Sequence, residues 1–187
     1  RSDFVRLHEY DAKRMFEKNG IPISRGRLAE SEDDARAIAT EFACDVMIKA
    51  QVLSGGRGKA GGVKRARDPD EAARKYREIF GINIDGYPVR NILVDQAIVI
   101  KSEIYLAITN DRTRGCPVLI ASALGGVDIE DVAKKSPDML AQEFIDPCLG
   151  LCSYQIRNAA NGIDLDRSLW PEFGRIGLAL YKTFIES

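Results

Sequence analysis

The amino-acid sequence predicts an α+β fold for a chain of 187 residues, which is the size of one ordinary domain or of two small lobes. Segments with helical spacing of apolar residues are interleaved with short apolar strands. Two of those strands, on either side of a tight turn at residues 114–115, form a predicted hairpin. Hairpins mixed with helices favour an α+β arrangement over a doubly wound parallel sheet.

The first half of the chain alternates predicted helices with predicted strands. Ser31 is a suitable N-cap, with Asp34 in the capping-box position, and Pro69 suits the first turn of a later helix. In chain order we predict helix 7–19, a helix after Ser31, strand 46–52, strand 63–66, helix 68–80, a turn at 85–86 and strand 91–97. The predicted buried stripe of the helix after Asp68 is Ala73, Tyr76, Ile79 and Phe80.

The second half begins with the predicted hairpin and ends in a long helix. Between them we predict a short helix over 129–134 and a brief strand over 142–146. The final helix starts near Ser168 and has apolar residues at helical spacing: Trp170, Phe173, Ile176, Leu180, Tyr181 and Phe184. The sequence stops inside this helix without a C-cap, so we expect a fold that is truncated at its C-terminus.

Charge and cysteine content argue against several classes of function. The net charge of −1 is unlike that of a protein that mainly coats nucleic acid or anionic lipid. Cys148 and Cys152 have no nearby histidine to complete a zinc set. The single histidine, His8, has no local nucleophile, which argues against a hydrolytic triad. We expect reduced cysteines and a cytoplasmic location, or the mitochondrial matrix if the protein is eukaryotic.

The segment SGGRGKAGGVK, residues 54–64, raises the question of a phosphate-binding loop. Its G-x-G-x-x-G spacing, beginning at Gly56, occurs in several kinds of such loop. A Walker A loop needs Ser or Thr after its lysine, and here Ala60 follows Lys59. A dinucleotide fingerprint needs a following helix, whereas VKRA predicts a strand. The protein-kinase loop has the right strand–loop–strand form, but the chain contains neither H-R-D nor D-F-G.

A glycine-rich hairpin still lets backbone N–H groups approach phosphate oxygens without obstruction by side chains. We expect Arg57 and Lys59 to add positive charge at its tip. Lys49 lies in the apolar strand before the loop, where its ammonium group needs an anion or access to water. A nucleotide phosphate would supply that anion. A mobile basic surface turn, with an outward-pointing lysine, remains an open alternative.

Four longer segments carry a family resemblance: LHEYDAKRMFEKNGIP, IKAQVLSGGRGKAGGVK, ILVDQAIVIKSEIYLAITNDR and IASALGGVDIEDVA. In their order and near-identical spacing they resemble the amino-terminal part of the β subunit of succinyl-CoA synthetase, over roughly residues 7–186. The resemblance implies an ATP-grasp fold with nucleotide between two α+β lobes. It implies a small lobe over residues 24–96, and an incomplete second lobe formed by 1–23 and 97–187.

The resemblance also implies a set of nucleotide-binding residues: Lys49, Gly56, Arg57, Gly58, Asp95, Ile98 and Glu103. The lysine would contact the nucleotide phosphates beneath a flap formed by residues 56–58. Residues 95–98 would form the hinge that holds the adenine edge, largely through backbone groups. The glutamate would accept hydrogen bonds from the ribose hydroxyls, although its position alone equally suits a solvated residue at a strand edge.

The same resemblance implies the reaction and the partners of a whole enzyme. Succinate, CoA and a nucleoside triphosphate would give succinyl-CoA, nucleoside diphosphate and phosphate, through a phosphohistidine on an α subunit that also carries the CoA site. The cofactor would be ATP or GTP with Mg²⁺, whose ligands the family places beyond Ser187. His8 belongs to the L-H-E-Y segment and is not the phosphorylated histidine. We expect this fragment alone to be inactive, because it lacks the metal ligands that neutralise the transferred phosphate.

Two positions depart from the family pattern. Asp95 stands where the family usually has glutamate, and Leu124, in SALGGVDIE, replaces an acid. The second departure leaves a malate–CoA ligase or an ATP-citrate-lyase-type enzyme as alternatives. A non-catalytic nucleotide-binding or interaction module is an alternative of another class. Lys49, Arg57 and Glu103 argue against it, since a pure scaffold needs none of them.

Overall fold

A computed structural model describes residues 6–127 and 129–186 of the chain. The chain divides into two compact units. The first contains residues 6–15 and Ile23–Val99, and the second contains Phe16–Pro22 and residues 100–186. This division differs from the predicted lobes, because residues 6–15 belong to the first unit and not to the second. Two of these residues contact the sheet of the first unit: Glu9 pairs with Lys49, and Lys13 pairs with Asp95.

The elements of the first unit form a four-stranded antiparallel sheet with helices. In chain order they are α1 (Glu9–Lys18), β1 (Gly26–Ala29), α2 (Glu32–Phe42), β2 (Val46–Gln51), β3 (Val63–Ala66), α3 (Pro69–Ile79), β4 (Asn83–Ile84), β5 (Tyr87–Pro88) and β6 (Asn91–Gln96). The sheet order is β1-β6-β2-β3, while β4 and β5 form a separate hairpin. Helix α1 crosses the boundary between the units, since its last three residues belong to the second. The predicted strands and the turn at 85–86 are confirmed.

The helix starts follow the capping chemistry of the sequence. The Ser31 hydroxyl accepts a hydrogen bond from the Asp34 amide at 3.1 Å, and Asp68 caps α3 with Pro69 in its first turn. In a full capping box the Asp34 carboxylate would accept a hydrogen bond from the amide of the N-cap, Ser31. It accepts instead from the Glu30 amide, so this part of the prediction was wrong. Burial of Phe80 was also predicted wrongly. Helix α3 ends at Ile79, and Phe80, in extended conformation, is 49% exposed.

The core of the first unit lies between one face of the sheet and helices α2 and α3. Ile48, Val94 and Ile38 are completely buried there. Successive strand residues point to opposite faces, so the neighbours of these core residues point to the other side of the sheet. That opposite face carries Lys49 and Asp95, which contact residues of α1 or of the chain that follows it. The polar face is therefore formed by the same strands as the core.

The second unit is a three-stranded antiparallel sheet packed on helices. It contains β7 (Tyr105–Asp111), β8 (Cys116–Ser122), α4 (Ile129–Lys135), β9 (Ala141–Phe144), α5 (Ser153–Gly162) and α6 (Trp170–Glu186), with the order β7-β8-β9. Its core includes Leu119, Ile145, Ile156 and Phe173. Helix α5 was not predicted, because its N-cap position holds Cys152 and not the usual Ser, Thr, Asp or Asn. Within residues 6–127 and 129–186, no helix is long and apolar enough to span a membrane.

Candidate functional site

The glycine-rich loop connects β2 to β3, and its own turns fold it back on itself. Gly56 and Gly61 have φ angles of 70° and 75°, a region that side chains with a Cβ rarely adopt. The Gly62 amide donates to the Arg57 carbonyl at 2.8 Å. A Cβ on Gly62 would lie 2.6 Å from Cδ1 of Ile84, so this glycine allows the loop to pack on the β4–β5 hairpin. Gly58 has no such neighbour and is exposed.

Lys49 finds its counter-charges within the first unit. Its Nζ donates to Asp95 Oδ2 at 2.7 Å and to Glu9 Oε1 at 2.9 Å, and its side chain is 21% exposed. The expectation that a lysine in this strand requires an anion is met by two carboxylates of the protein. The sequence reasoning did not select Glu9 as one of them, since it lies 40 residues earlier in the chain.

Arg57 is not at the tip of the loop, contrary to the prediction. Its Nη1 donates to the carbonyl of Ala50 at 2.8 Å, and its Nη2 lies 2.8 Å from Glu9 Oε2. The second contact is an ion pair by distance, but it lacks the geometry of a hydrogen bond. The side chain therefore turns back toward β2, whereas Lys59 is exposed. Lys49 and Arg57 consequently meet at one carboxylate.

Asp95 is the most buried member of this charged cluster, with a side chain only 3% exposed. Besides Lys49 it pairs with Lys13 of α1, and it accepts from the Ser24 hydroxyl at 2.9 and 3.0 Å. A Cβ on Gly26 would lie 2.7 Å from Asp95 Oδ1, so the glycine leaves room for the carboxylate. The sequence reasoning missed Lys13 and Glu9. Their spacing of four residues on one helix was a usable signal, because such residues share a face.

Three members of the cluster have shifted pKa values: Glu9, Asp95 and Lys49. Burial alone would raise the pKa values of Glu9 and Asp95, but hydrogen bonds and charge attraction from nearby cations outweigh it, and both pKa values are lowered. For Glu9 the cations are Lys49 and Arg57, and for Asp95 they are Lys13 and Lys49. Burial alone would lower the pKa of Lys49, yet its bonds to Asp95 and Glu9 raise it. The contacts thus favour the charged forms of Glu9, Asp95 and Lys49.

The remaining predicted site residues follow β6 along the chain. Ile98 belongs to the first unit and is 63% exposed. Glu103 belongs to the second unit, is exposed, and accepts at its carbonyl a hydrogen bond from the Gly125 amide at 3.0 Å. Cβ atoms on Gly125 and Gly126 would lie 2.6 and 2.1 Å from Glu103 atoms. The G-G pair after Leu124 therefore allows close packing against Glu103.

The arrangement in the first unit suits the binding of a polyanion. Two cations converge beside a loop whose glycines leave its backbone accessible, which is a common design for phosphate recognition. Within residues 6–127 and 129–186, no cluster of three or more histidine, cysteine, aspartate or glutamate side chains is placed to hold a metal ion.

The profile of the ATP-grasp domain family matches residues 6–187. The chain belongs to this family, and the predicted ATP-grasp fold is confirmed. It is 42% identical over 181 residues to succinate–CoA ligase [ADP-forming] subunit beta 2 of Archaeoglobus fulgidus, covering 97% of this chain and 48% of that protein. It is 44% identical over 183 residues to succinate–CoA ligase [ADP-forming] subunit beta of Chloroflexus aurantiacus, again covering 97% and 48%. The chain thus spans about half the length of these curated relatives.

Solved structures share the fold at lower sequence identity. Dinucleotide forming acetyl-coenzyme A synthetase 1 of Ca. Korarchaeum cryptofilum superposes with a TM-score of 0.77 at 22% identity, over 97% of this chain and 81% of that one. ATP citrate lyase of Methanothrix soehngenii superposes with a TM-score of 0.67 at 20% identity, over 96% of this chain and 44% of that one. At these identities the likeness supports the fold alone.

Proposed function

We propose that this chain is the nucleotide-binding portion of the β subunit of a succinate–CoA ligase. The whole enzyme would convert succinate, CoA and a nucleoside triphosphate to succinyl-CoA, nucleoside diphosphate and phosphate, through a phosphohistidine on its α subunit. Relatives that carry this name match 97% of the chain at 42–44% identity, which supports the assignment. The similarity to ATP citrate lyase is one of fold and favours no change of substrate.

The observation that carries the proposal is the convergence of Lys49 and Arg57 beside the glycine-rich loop. Both cations lie within 2.9 Å of the Glu9 carboxylate, so one phosphate group can reach both at the same place. In this proposal Lys49 binds the nucleotide phosphates, while Gly56, Arg57 and Gly58 form the flap that covers them. Phosphoryl transfer depends mainly on positioning and on neutralisation of charge, which these groups would supply.

The nucleoside would be bound by the residues that follow β6. The backbone of residues 95–98 would hold the adenine edge, and the Asp95 side chain would serve instead to hold Lys49, with which it is paired at 2.7 Å. Glu103 would accept hydrogen bonds from the ribose hydroxyls. Its exposed carboxylate and its close packing against Gly125 and Gly126 support a fixed, accessible acceptor.

The proposal includes the components that would complete the enzyme. The α subunit would contribute the CoA site and the phosphohistidine, and ATP or GTP would bind with Mg²⁺ held by ligands outside this chain. The metal would neutralise phosphate charge, and Lys49 and Arg57 would add to that neutralisation. The chain alone would bind nucleotide without sustained turnover. Free cysteines and archaeal and bacterial relatives support a cytoplasmic location.

Calorimetric titration of the chain with Mg-ADP and Mg-GDP tests the proposal. Saturable binding of one nucleotide is expected, and Arg57→Ala should weaken it by at least about tenfold, because a charge-assisted contact to phosphate is lost. Arg67→Ala is the matched control, since Arg67 is an exposed cation outside the proposed site. Binding that is equal in all three proteins would refute the phosphate site. The preferred nucleotide would identify the base specificity.

A further inference from the structure

Glu9 places a negative charge at the point where the two cations of the proposed phosphate site meet. Its Oε1 accepts a hydrogen bond from Lys49 Nζ at 2.9 Å, and its Oε2 lies 2.8 Å from Arg57 Nη2. The carboxylate comes from α1, whereas the cations come from β2 and the loop after it. A single side chain from a separate element thus bridges both proposed phosphate ligands.

We propose that Glu9 is an internal competitor for nucleotide phosphate, and that a phosphate group binds to Lys49 and Arg57 by displacing the Glu9 carboxylate. This inference rests on the proposed nucleotide-binding function. It adds that the affinity for nucleotide is set in part by an anion that the chain itself supplies. Removing that anion should therefore make binding tighter.

We expect the phosphate to displace the Glu9 carboxylate and not to share the two cations with it, because a phosphate beside Glu9 would place two anions against each other. The cations keep other partners when Glu9 leaves. Lys49 retains its bond to Asp95 at 2.7 Å, and Arg57 retains its bond to the Ala50 carbonyl at 2.8 Å. Both cations would thus stay in place to receive the phosphate.

Glu9 is the less buried of the two carboxylates in the cluster. Its side chain is 23% exposed, whereas that of Asp95 is 3% exposed. Displacing Glu9 should therefore cost less than displacing Asp95, whose release would leave two cations without their buried partner. In addition, the contact of Oε2 with Arg57 lacks hydrogen-bond geometry. The two carboxylates thus have different roles: Asp95 holds Lys49, and Glu9 yields to the ligand.

The test compares the wild-type chain with Glu9→Gln by titration with ADP and with inorganic tripolyphosphate. If Glu9 occupies the cations in about nine molecules of ten, removing its charge should lower the dissociation constant by up to about tenfold, and a gain of about threefold or more is expected. Glu17→Gln is the matched control, because Glu17 is an exposed glutamate on the same helix. An affinity for both ligands that is unchanged or weaker in Glu9→Gln overturns the inference.

A second variant covers the case in which Glu9→Gln folds poorly. Glu9→Asp keeps the charge but shortens the side chain by one methylene, so it should bridge the two cations less well and also bind tripolyphosphate more tightly than wild type. A purely structural role for Glu9 would weaken binding in both variants. Thermal denaturation of each variant identifies any loss of folded protein.

The titrations distinguish a failure of the Glu9 role from a failure of the proposed phosphate site. If ADP binds to the wild-type chain and more weakly to Arg57→Ala, but equally to Glu9→Gln, only the role of Glu9 is refuted. If neither ADP nor tripolyphosphate binds to the wild-type chain or to Glu9→Gln, the proposed phosphate site is refuted, and the competitor role with it.

Discussion

The two faces of the four-stranded sheet in the first unit have opposite chemistry. One face packs apolar side chains such as Ile48 and Val94 against α2 and α3. The other presents Lys49 and Asp95, which bond with residues outside the sheet. Because neighbours on a strand point to opposite faces, β2 contributes to both. One strand can therefore form the core and, one residue later, hold a charged group of the proposed site.

The largest effect on stability is expected on the charged face. Asp95→Ala should reduce the free energy of unfolding by roughly 3–5 kcal/mol, because Lys13 and Lys49 would lose their buried partner. Asp70→Ala is the control, since Asp70 forms an ion pair with Arg36 that is exposed to solvent. Denaturation with urea measures both. If the two variants lost the same small amount, the charged cluster would not stabilise the fold.

Truncation of a buried side chain on the apolar face should reduce the free energy of unfolding nearly as much. Ile48→Ala removes a completely buried side chain, and a loss of about 2–5 kcal/mol is expected from lost burial and the remaining cavity. Phe80→Ala should cost much less, because Phe80 is half exposed beyond the end of α3. Urea denaturation of both variants tests the comparison. A larger loss for Phe80→Ala would contradict the assignment of the core to α2, α3 and the sheet.

A smaller effect is expected from crowding the charged face. Gly26→Ala should reduce stability by about 1–3 kcal/mol, because the added Cβ would lie 2.7 Å from Asp95 Oδ1 and the carboxylate would have to shift. Gly58→Ala is the control, since a Cβ there meets no atom within 4 Å. Thermal denaturation measures both changes. Equal stability of Gly26→Ala and wild type would mean that Asp95 is not fixed by its surroundings.

Acid should weaken the ion pairs of the charged face. The lowered pKa values of Asp95 and Glu9 mean that their contribution to stability is fully present above the unfolded pKa values, about 3.9 and 4.3, and is lost as pH falls through the folded values. The free energy of unfolding should therefore fall below about pH 4. In Asp95→Asn it should fall less steeply, which denaturation at several pH values measures. If the free energy of unfolding fell equally steeply with pH in wild type and in Asp95→Asn, the pairing of Asp95 with the two lysines would be contradicted.

Much of the fold could be predicted because its signals are local. The N-caps at Ser31 and Asp68 and the periodicity of β2 and β6 define elements without knowledge of their partners. Helix α5 was missed because Cys152 does not mark a helix start. The proposed phosphate ligands were expected from the loop and the family resemblance. Glu9 and Lys13 were missed, since their role depends on contacts with residues 40 and 82 positions away.

Lys49 and Arg57 are proposed to form one phosphate-binding pair. The most direct test is to compare ADP with adenosine as ligands of wild type, Arg57→Ala and Lys49→Met, using calorimetry and confirming that each variant is folded. Both substitutions should weaken ADP binding at least about tenfold and leave adenosine binding nearly unchanged, since only ADP carries the phosphates that the cations would contact. Unaltered affinity for ADP, or an equal loss for adenosine, would contradict the proposed pair.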